Sequence, residues 1–287
     1  MSARGTARAA MGDAQEAGNS DTLENLARIG LIAYGVMHLL IAWLALQLAW
    51  FGGKGKTADQ SGAMSTLADS PVGKPLLWVI ALGFVALAAW QAAEVLRWRG
   101  HWSASGSTSG KARTKALQNS GKALIKTVVY VVLAVLAVKF AVGSGRSSSQ
   151  QQENTTAGVF GWPAGRWLVG AAGFVLIGVG IYHVYKGVTK RFLKEIDTSE
   201  ASASARRLVT RLGQVGFPGK GVALAGVGAL LLWAAITFDP SKARGLDGAM
   251  HAILDLPFGQ ILLTLVALGI ATFGVYLFVR ARYPERT

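Results

Sequence analysis

Six polar residues lie inside otherwise apolar stretches of this chain, and their types could support chemistry. They are His38, Gln47, Gln91, Tyr130, Lys139 and His183. Imidazole, phenol, amide and ammonium groups can all bind a polar ligand. Polar side chains inside membrane helices are costly and often mark functional sites. We therefore treat these six residues as a candidate intramembrane polar site.

Metal, haem and thiol chemistry are not expected. The chain has no cysteine, which excludes disulfides, thiolate metal ligands and a cysteine nucleophile. No two of its four histidines lie three or four residues apart, so the sequence lacks a helical zinc pair. His38 and His183 differ in height by roughly 10 Å along their helices, which argues against paired haem ligation. We find no catalytic constellation and predict a protein that is not an enzyme and carries no cofactor.

The elements that must position these residues are membrane helices. The chain is 52% hydrophobic and 15% charged, with a mean hydropathy of +0.38, whereas soluble domains carry about 25% charged residues. Charge-free runs cover residues 29–51, 75–93, 167–185, 221–238 and 256–279, and a sixth run, 127–145, is broken only by Lys139. Each is near the roughly 20 residues that a spanning helix needs. The sequence therefore predicts an all-α polytopic membrane protein with six transmembrane helices.

An internal repeat organises these helices. Residues 62–83 recur at 248–269 with 11 of 22 positions identical. The match extends without gaps from 26–99 to 212–285, and a more diverged copy occupies 118–191, where Pro71, Pro163 and Pro257 align. Such self-similarity is the signature of stacked supersecondary units. We predict three tandem two-helix repeats.

The repeats imply a simple division of the chain. Repeat 1 covers 26–99, repeat 2 covers 118–191 and repeat 3 covers 212–287, with cytoplasmic linkers at 100–117 and 192–211. Residues 1–25 are polar and are expected to be a disordered cytoplasmic tail. They contain no apolar core, so we expect no cleavable signal peptide. Asp21 with Glu24 is a plausible helix start.

Basic residues are distributed unevenly about the predicted spans. The net charge is +14; 21 basic residues fall on the side of the termini and the linkers, and seven on the other side. This is the bias of cytoplasmic loops, so we expect a multi-pass protein of the cell inner membrane with both termini in the cytoplasm. The basic loops are expected to meet anionic lipid head groups. Their spread over several loops argues against nucleic-acid binding.

The repeated signature is expected to form a short helix on the outer side. Segments 64–68 and 250–254 carry apolar residues with the spacing i, i+3, i+4, which is typical of a one-sided helix. We expect these interfacial helices to cover the outer end of the bundle. Pro71 and Pro257 would then start the descending helices. Asp69 and Asp255 could bind a cation, but capping of those helices is favoured because Gly161 replaces them in repeat 2.

Projection through the repeat pairs the six polar residues. His38 matches Tyr130, Gln47 matches Lys139 and Gln91 matches His183, while the matching residues of repeat 3 are Leu224, Trp233 and Leu277. A polar ligand would therefore be held by His38 and Tyr130, between the first two hairpins. The alternative is structural: Lys139 snorkels and His38 makes only an interhelical hydrogen bond. Gln47 lies about half a helical turn around from His38, so these two cannot line one cavity.

The repeated signature is similar to the pattern of a known protein family. Residues 62–73 read Gly-Ala-Met-x-x-Leu-x-Asp-x-Pro-x-Gly, and the last repeat closes with Arg-Ala-Arg-Tyr at 280–283. This pattern resembles the bacterial membrane family named domain of unknown function 1206. The resemblance covers roughly 26–285 and implies three tandem two-helix units in a bacterial inner membrane. The family has no assigned activity, so it supplies no functional residues.

Two classes of function fit these observations. The missing catalytic chemistry, the short loops and nine tryptophans favour a structural or accessory subunit of a membrane protein complex, with a membrane protein as partner. The alternative is a protein that binds or transports a small molecule or a lipid. Parallel two-span repeats differ from the inverted repeats of many secondary transporters.

Overall fold

The computed structural model describes residues 21–53, 57–104, 110–145, 148–196 and 202–283, and over these residues the protein is all-α. The helices, numbered in chain order, are α1 (Asp21–Phe51), α2 (Gln60–Ala68), α3 (Gly73–Ala104), α4 (Gly110–Ala141), α5 (Ser148–Phe160), α6 (Gly165–Val188), α7 (Ala203–Thr237), α8 (Gly245–Leu254) and α9 (Gly259–Arg282). Short 3₁₀ turns occupy Arg191–Glu195 and Pro240–Lys242.

Six of these helices are long and apolar enough to cross a membrane. They are α1, α3, α4, α6, α7 and α9, which confirms the six predicted spans. α1 is described from Asp21 onward, so the predicted helix start at Asp21 stays a prediction. Residues 1–20 of the expected disordered tail lie outside the described residues, and 21–25 belong to α1. Much of the two expected linkers is helical, because α3 runs to Ala104, α4 begins at Gly110 and α7 begins at Ala203.

The three repeats form a ring with one open side. The second spanning helix of each repeat packs against the first spanning helix of the next: α3 on α4, α6 on α7, and α9 back on α1. Within repeats 1 and 3 the two spanning helices also pack, α1 on α3 and α7 on α9. In repeat 2, the described parts of α4 and α6 barely touch. We call this gap the α4/α6 opening.

Glycines make the contacts between repeats close. A Cβ added to Gly180 on α6 would lie 2.6 Å from the carbonyl oxygen of Gly221 on α7, and one added to Gly35 on α1 would lie 2.9 Å from the carbonyl oxygen of Gly274 on α9. Only residues without a side chain allow helix backbones to approach this closely. Alanine and threonine occupy the equivalent positions between α3 and α4.

The same argument explains the α4/α6 opening. In repeat 1, a Cβ on Gly30 would lie 2.4 Å from the carbonyl oxygen of Gly83, and repeat 3 has glycine backbones equally close at this level. The residues of repeat 2 that align with Gly30 and Gly83 are Lys122 and Val175. The β-branched side chain of Val175 does not permit the close approach that the glycines allow, which fits the separation of α4 from α6.

The short helices cover one end of the ring, as predicted. Met64 of α2 is 2% exposed and Met250 of α8 is 0% exposed, and both belong to the main hydrophobic core. We call this the short-helix end. The opposite end, where α1, α4 and α7 begin and α3, α6 and α9 end, is the basic end.

The prediction that Asp255 caps the descending helix is wrong. Asp255 ends α8, where its backbone N–H donates to the carbonyls of that helix. The residue before α9 is Phe258, in a left-handed conformation with no side-chain hydrogen bond to the helix. Asp69 likewise ends α2. Pro257 lies in the turn, two residues before α9 begins, because the chain needs that turn to reverse direction.

Candidate intramembrane polar site

A lysine within a spanning helix is the centre of the candidate site. Lys220 Nζ donates a hydrogen bond of 3.0 Å to the Tyr34 hydroxyl. The ammonium also lies 4.2 Å from the ring centroid of Phe273 and 5.1 Å from that of Tyr34. Aromatic faces attract cations at such distances. The site therefore places the Lys220 amine between a hydroxyl and two aromatic rings, in a largely apolar environment.

The repeat explains why Lys220 and Tyr34 meet. They occupy the same position in repeats 3 and 1, and Lys126 occupies it in repeat 2. Lys220 lies 17 residues before the last residue of α7, or about 26 Å from the short-helix end at 1.5 Å per residue. A hydrocarbon layer is about 30 Å thick. Lys220 is thus just inside the membrane edge nearest the basic end.

His38 and Tyr130, the pair singled out from the sequence, join the same cluster through Tyr34. His38 is 6% exposed, and its Nδ1 is 2.8 Å from the carbonyl oxygen of Tyr34. Because a carbonyl only accepts, Nδ1 carries the proton and donates. The Tyr130 ring lies 6.0 Å from the Tyr34 ring and stacks on Phe84 at 6.4 Å.

The other four candidates are more dispersed. His183 bonds the carbonyl oxygen of Val179 at 2.8 Å and stacks on Phe217 at 5.9 Å, at the basic side of the same aromatic cluster. Gln91 and Gln47 are half-buried, and Lys139 is exposed. Gln47 lies about 13 Å along α1 from His38 and Lys139 about 13 Å along α4 from Tyr130, which places both outside the cluster.

An ionic cluster lies beside the polar site at the basic end. The Glu195 carboxylate accepts a hydrogen bond of 2.5 Å from Lys186 Nζ and pairs with Arg280 at 3.3 Å. Burial alone would raise the pKa of Glu195, but the Arg280 and Lys186 charges outweigh it and lower the pKa to about 2. Glu195 is therefore ionised at neutral pH.

Sequence reasoning missed Tyr34, Lys220 and Glu195. The fifth charge-free run begins at Gly221 and leaves Lys220 in a loop, whereas α7 begins at Ala203, 17 residues before Lys220. A signal was present in the repeat alignment, which places Tyr34 and Lys220 at one position. Glu195 belongs to no repeat, and only its tertiary contacts reveal it.

The packing around the cluster leaves some of its side-chain surface exposed. Tyr34, Tyr130 and Lys220 are all partly exposed, although they come from the first spanning helices of three different repeats. We infer that the α4/α6 opening gives them this exposure. The hydroxyl and amine groups of the cluster can donate hydrogen bonds to an anionic or other hydrogen-bond-accepting group.

The aspartates at the short-helix end have structural roles. Asp59 is 1% exposed and accepts hydrogen bonds from the Gly62 N–H at 2.9 Å and the Ser61 hydroxyl at 2.6 Å. Asp247 of α8 accepts one of 2.7 Å from the Ala58 N–H, which ties repeat 3 to repeat 1. Burial raises the pKa of Asp247, although that hydrogen bond opposes the rise. The described residues contain no group of three metal-ligating side chains.

Six spanning helices in three tandem repeats define a polytopic helical membrane protein. Comparison with known families finds three tandem segments: the model described as Domain of Unknown Function (DUF1206) matches residues 29–97, 121–190 and 215–284. The chain belongs to this family, as the signature indicated. It is 29% identical over 266 residues to "Uncharacterized protein YxxB" from Bacillus subtilis (strain 168), covering 92% of each chain. No solved structure matches.

Proposed function

We propose that this protein is a non-enzymatic membrane protein that binds an amphiphile with an anionic head group, such as a phospholipid, at the Lys220 site. Lys220 carries the proposal. Its ammonium lies within a spanning helix, and among the described residues its hydrogen-bond partner is the Tyr34 hydroxyl rather than a carboxylate. Charged groups inside membranes normally have a compensating partner.

Electrostatics favour an anion as that partner. An ammonium has three N–H donors, and the Tyr34 hydroxyl takes one of them. An anionic acceptor adds Coulomb attraction to its hydrogen bond with an ammonium, which the neutral Tyr34 hydroxyl does not supply. The depth of Lys220 also fits, because a head group at the membrane edge would lie beside it while acyl chains fill the α4/α6 opening.

The basic end is proposed to face the cytoplasm of a bacterial cell, across its inner membrane. This end presents exposed cations, including Lys190, Arg191, Lys194, Arg206 and Arg207. Each basic residue near an anionic leaflet contributes about 1 kcal/mol of attraction. The anionic lipids of that leaflet would supply the ligand of the Lys220 site.

The α4/α6 opening also favours a second candidate function, that of an accessory subunit of a membrane protein complex. The opening lies where the other two repeats have a helix–helix contact. Val129 and Val175 are exposed there, whereas the residues that align with them in repeats 1 and 3 are buried. A transmembrane helix of a partner protein could occupy it.

Native mass spectrometry after purification in mild detergent separates the two functions. We expect the wild-type chain to retain about one anionic phospholipid, and Lys220→Met to weaken retention at least tenfold, since charge-assisted hydrogen bonds contribute about 1.5–3 kcal/mol. Lys139→Met is the matched control, because it removes an exposed lysine from another spanning helix.

The outcomes are distinct. Equal lipid retention in the wild type and Lys220→Met would refute the proposed lipid site. A stoichiometric protein partner that persists in Lys220→Met would favour the accessory subunit instead.

A further inference from the structure

A short segment closes the basic end of the ring next to the polar site. Phe192, in the turn Arg191–Glu195, is 0% exposed. Its ring stacks on Phe217 at 5.3 Å and meets Tyr276 edge-on at 5.6 Å. The Tyr276 hydroxyl donates to the Phe192 carbonyl at 3.4 Å. Residues 191–196, the closing segment, thus fill the space between the ends of α6, α7 and α9.

Lys186 and Arg280 hold this segment in place through ion pairs with Glu195. Lys186 and Arg280 occupy the same position in repeats 2 and 3, and each lies 21 residues beyond the start of its helix. This places both about 32 Å from the short-helix end, at the other edge of a hydrocarbon layer. The two side chains hold one carboxylate between them. We call them the cation clamp.

The clamp adjoins Lys220. Lys186 Nζ lies 4.6 Å from the Phe217 ring centroid and Lys220 Nζ 4.2 Å from that of Phe273. The Phe217 and Phe273 rings are neighbours, with centroids 5.2 Å apart. An anionic group beside Lys220 is therefore within reach of the clamp.

We propose that the cation clamp is an anion-binding site whose internal occupant is Glu195, and that a phosphate group replaces Glu195 and frees residues 191–196. This inference rests on the proposed function for the source of the phosphate, a lipid head group. Phosphate and carboxylate oxygens accept the same Arg and Lys hydrogen bonds. When a phosphate replaces the carboxylate, Lys186 and Arg280 both keep an anionic partner. Residues 191–196 can therefore move away without leaving either cation unpaired.

Amide hydrogen exchange of the full chain in nanodiscs tests whether a phosphate group replaces Glu195 in the cation clamp. The three conditions are phosphatidylcholine alone, phosphatidylcholine with phosphatidylglycerol, and phosphatidylcholine with inorganic phosphate in the buffer. We expect phosphatidylglycerol to accelerate exchange at residues 191–196 at least about fivefold, the lower end of usual coupling between sites. Inorganic phosphate alone should have no effect. If it accelerates exchange equally, a free anion rather than a lipid occupies the clamp, and the lipid part is overturned.

Substitution of the internal occupant provides a second test. Glu195→Gln should accelerate exchange at 191–196 in phosphatidylcholine alone and increase phosphatidylglycerol retention about fivefold. Asp255→Asn is the matched control, because it removes an exposed carboxylate at the short-helix end, and it should change neither quantity.

The wild-type measurement does not depend on how any variant folds. If hydrogen exchange at residues 191–196 does not change with phosphatidylglycerol, the inference is overturned, even where the lipid is retained. Retention that is insensitive to Lys220→Met overturns the proposed function instead, so the two failures are distinguishable.

Discussion

Two glycines of α6 provide a matched pair of substitutions that tests the close contacts of the ring. A Cβ at Gly180 would lie 2.6 Å from the Gly221 carbonyl oxygen and 3.0 Å from the Ala225 Cβ. Ordinary contacts begin at 3.4 Å, so Gly180→Ala must push α6 away from α7 by several tenths of an ångström. Because the described part of α6 has little contact with α4, α7 is its main support.

The expected change in the free energy of unfolding of Gly180→Ala results from two opposing effects. Alanine stabilises a helix by about 0.5–1 kcal/mol relative to glycine, whereas overpacking typically costs about 1–3 kcal/mol. We expect Gly180→Ala to lower the free energy of unfolding by about 1–2 kcal/mol. Gly178 lies two residues earlier, and a Cβ there would meet nothing within 4 Å. Gly178→Ala should therefore be neutral or stabilising by up to about 1 kcal/mol.

Reversible unfolding in mixed micelles, with increasing dodecyl sulfate, measures both variants against the wild type. The informative quantity is the difference between them, expected to be about 2 kcal/mol, because the helix-propensity effect is common to both. If the two variants shift the unfolding midpoint equally, the contact of α6 with α7 is not as close as the backbone distances indicate.

Three further predictions concern topology, pH and the polar site. In this cysteine-free chain, an impermeant thiol reagent added outside intact cells should label Ser144→Cys and not Ser204→Cys; the reverse pattern would invert the proposed orientation. The folded-state pKa of Glu195, about 2, lies below its ordinary value of 4.5, so its stabilising contribution is present above pH 4.5 and is lost as the pH falls towards 2. Melting temperatures across that range should depend less on pH in Glu195→Gln, and an unchanged slope would contradict the ion pairs. His38→Leu with Tyr130→Phe should reduce lipid retention with little change in melting, since intramembrane hydrogen bonds contribute about 0.6 kcal/mol on average; a double variant with normal retention would remove both residues from the site.

Local sequence was enough to predict the spans, the repeats and the short helices. Long apolar runs determine which segments can cross a membrane, and 11 identities in 22 positions identify the repeated unit without knowledge of contacts. The burial of Met64 and Met250 followed from their place in that unit. The pair His38 and Tyr130 was found because polarity at matched positions is a property of the alignment.

Features that depend on packing could not be predicted in the same way. An apolar run marks the hydrophobic part of a helix and not its end, so α7 extends past Lys220 and carries it into the bundle. The meeting of Glu195 with Lys186 and Arg280 joins a connecting turn to two helices, and no periodicity encodes such a contact. The capping role given to Asp255 failed because the turn around Pro257 separates it from α9.

The α4/α6 opening can be tested by restoring the residues that close the other repeats. Repeats 1 and 3 have glycine where repeat 2 has Lys122 and Val175, so Lys122→Gly with Val175→Gly should let α4 and α6 approach. We expect this double variant to lose phospholipid retention although Lys220 is unchanged. Thermal melting must be measured alongside, because each added glycine costs about 0.5–1 kcal/mol of helix stability.

The control variant is Lys122→Gln with Val175→Ala, which removes the same charge and the β-branch but keeps a Cβ at both positions. It should retain the lipid, because only bare glycine backbones permit helix contact as close as that between Gly30 and Gly83. Equal loss of lipid in both double variants would mean that the charge of Lys122, rather than the opening, governs binding. Loss confined to the glycine variant would show that divergence of the middle repeat keeps the ring open for its ligand.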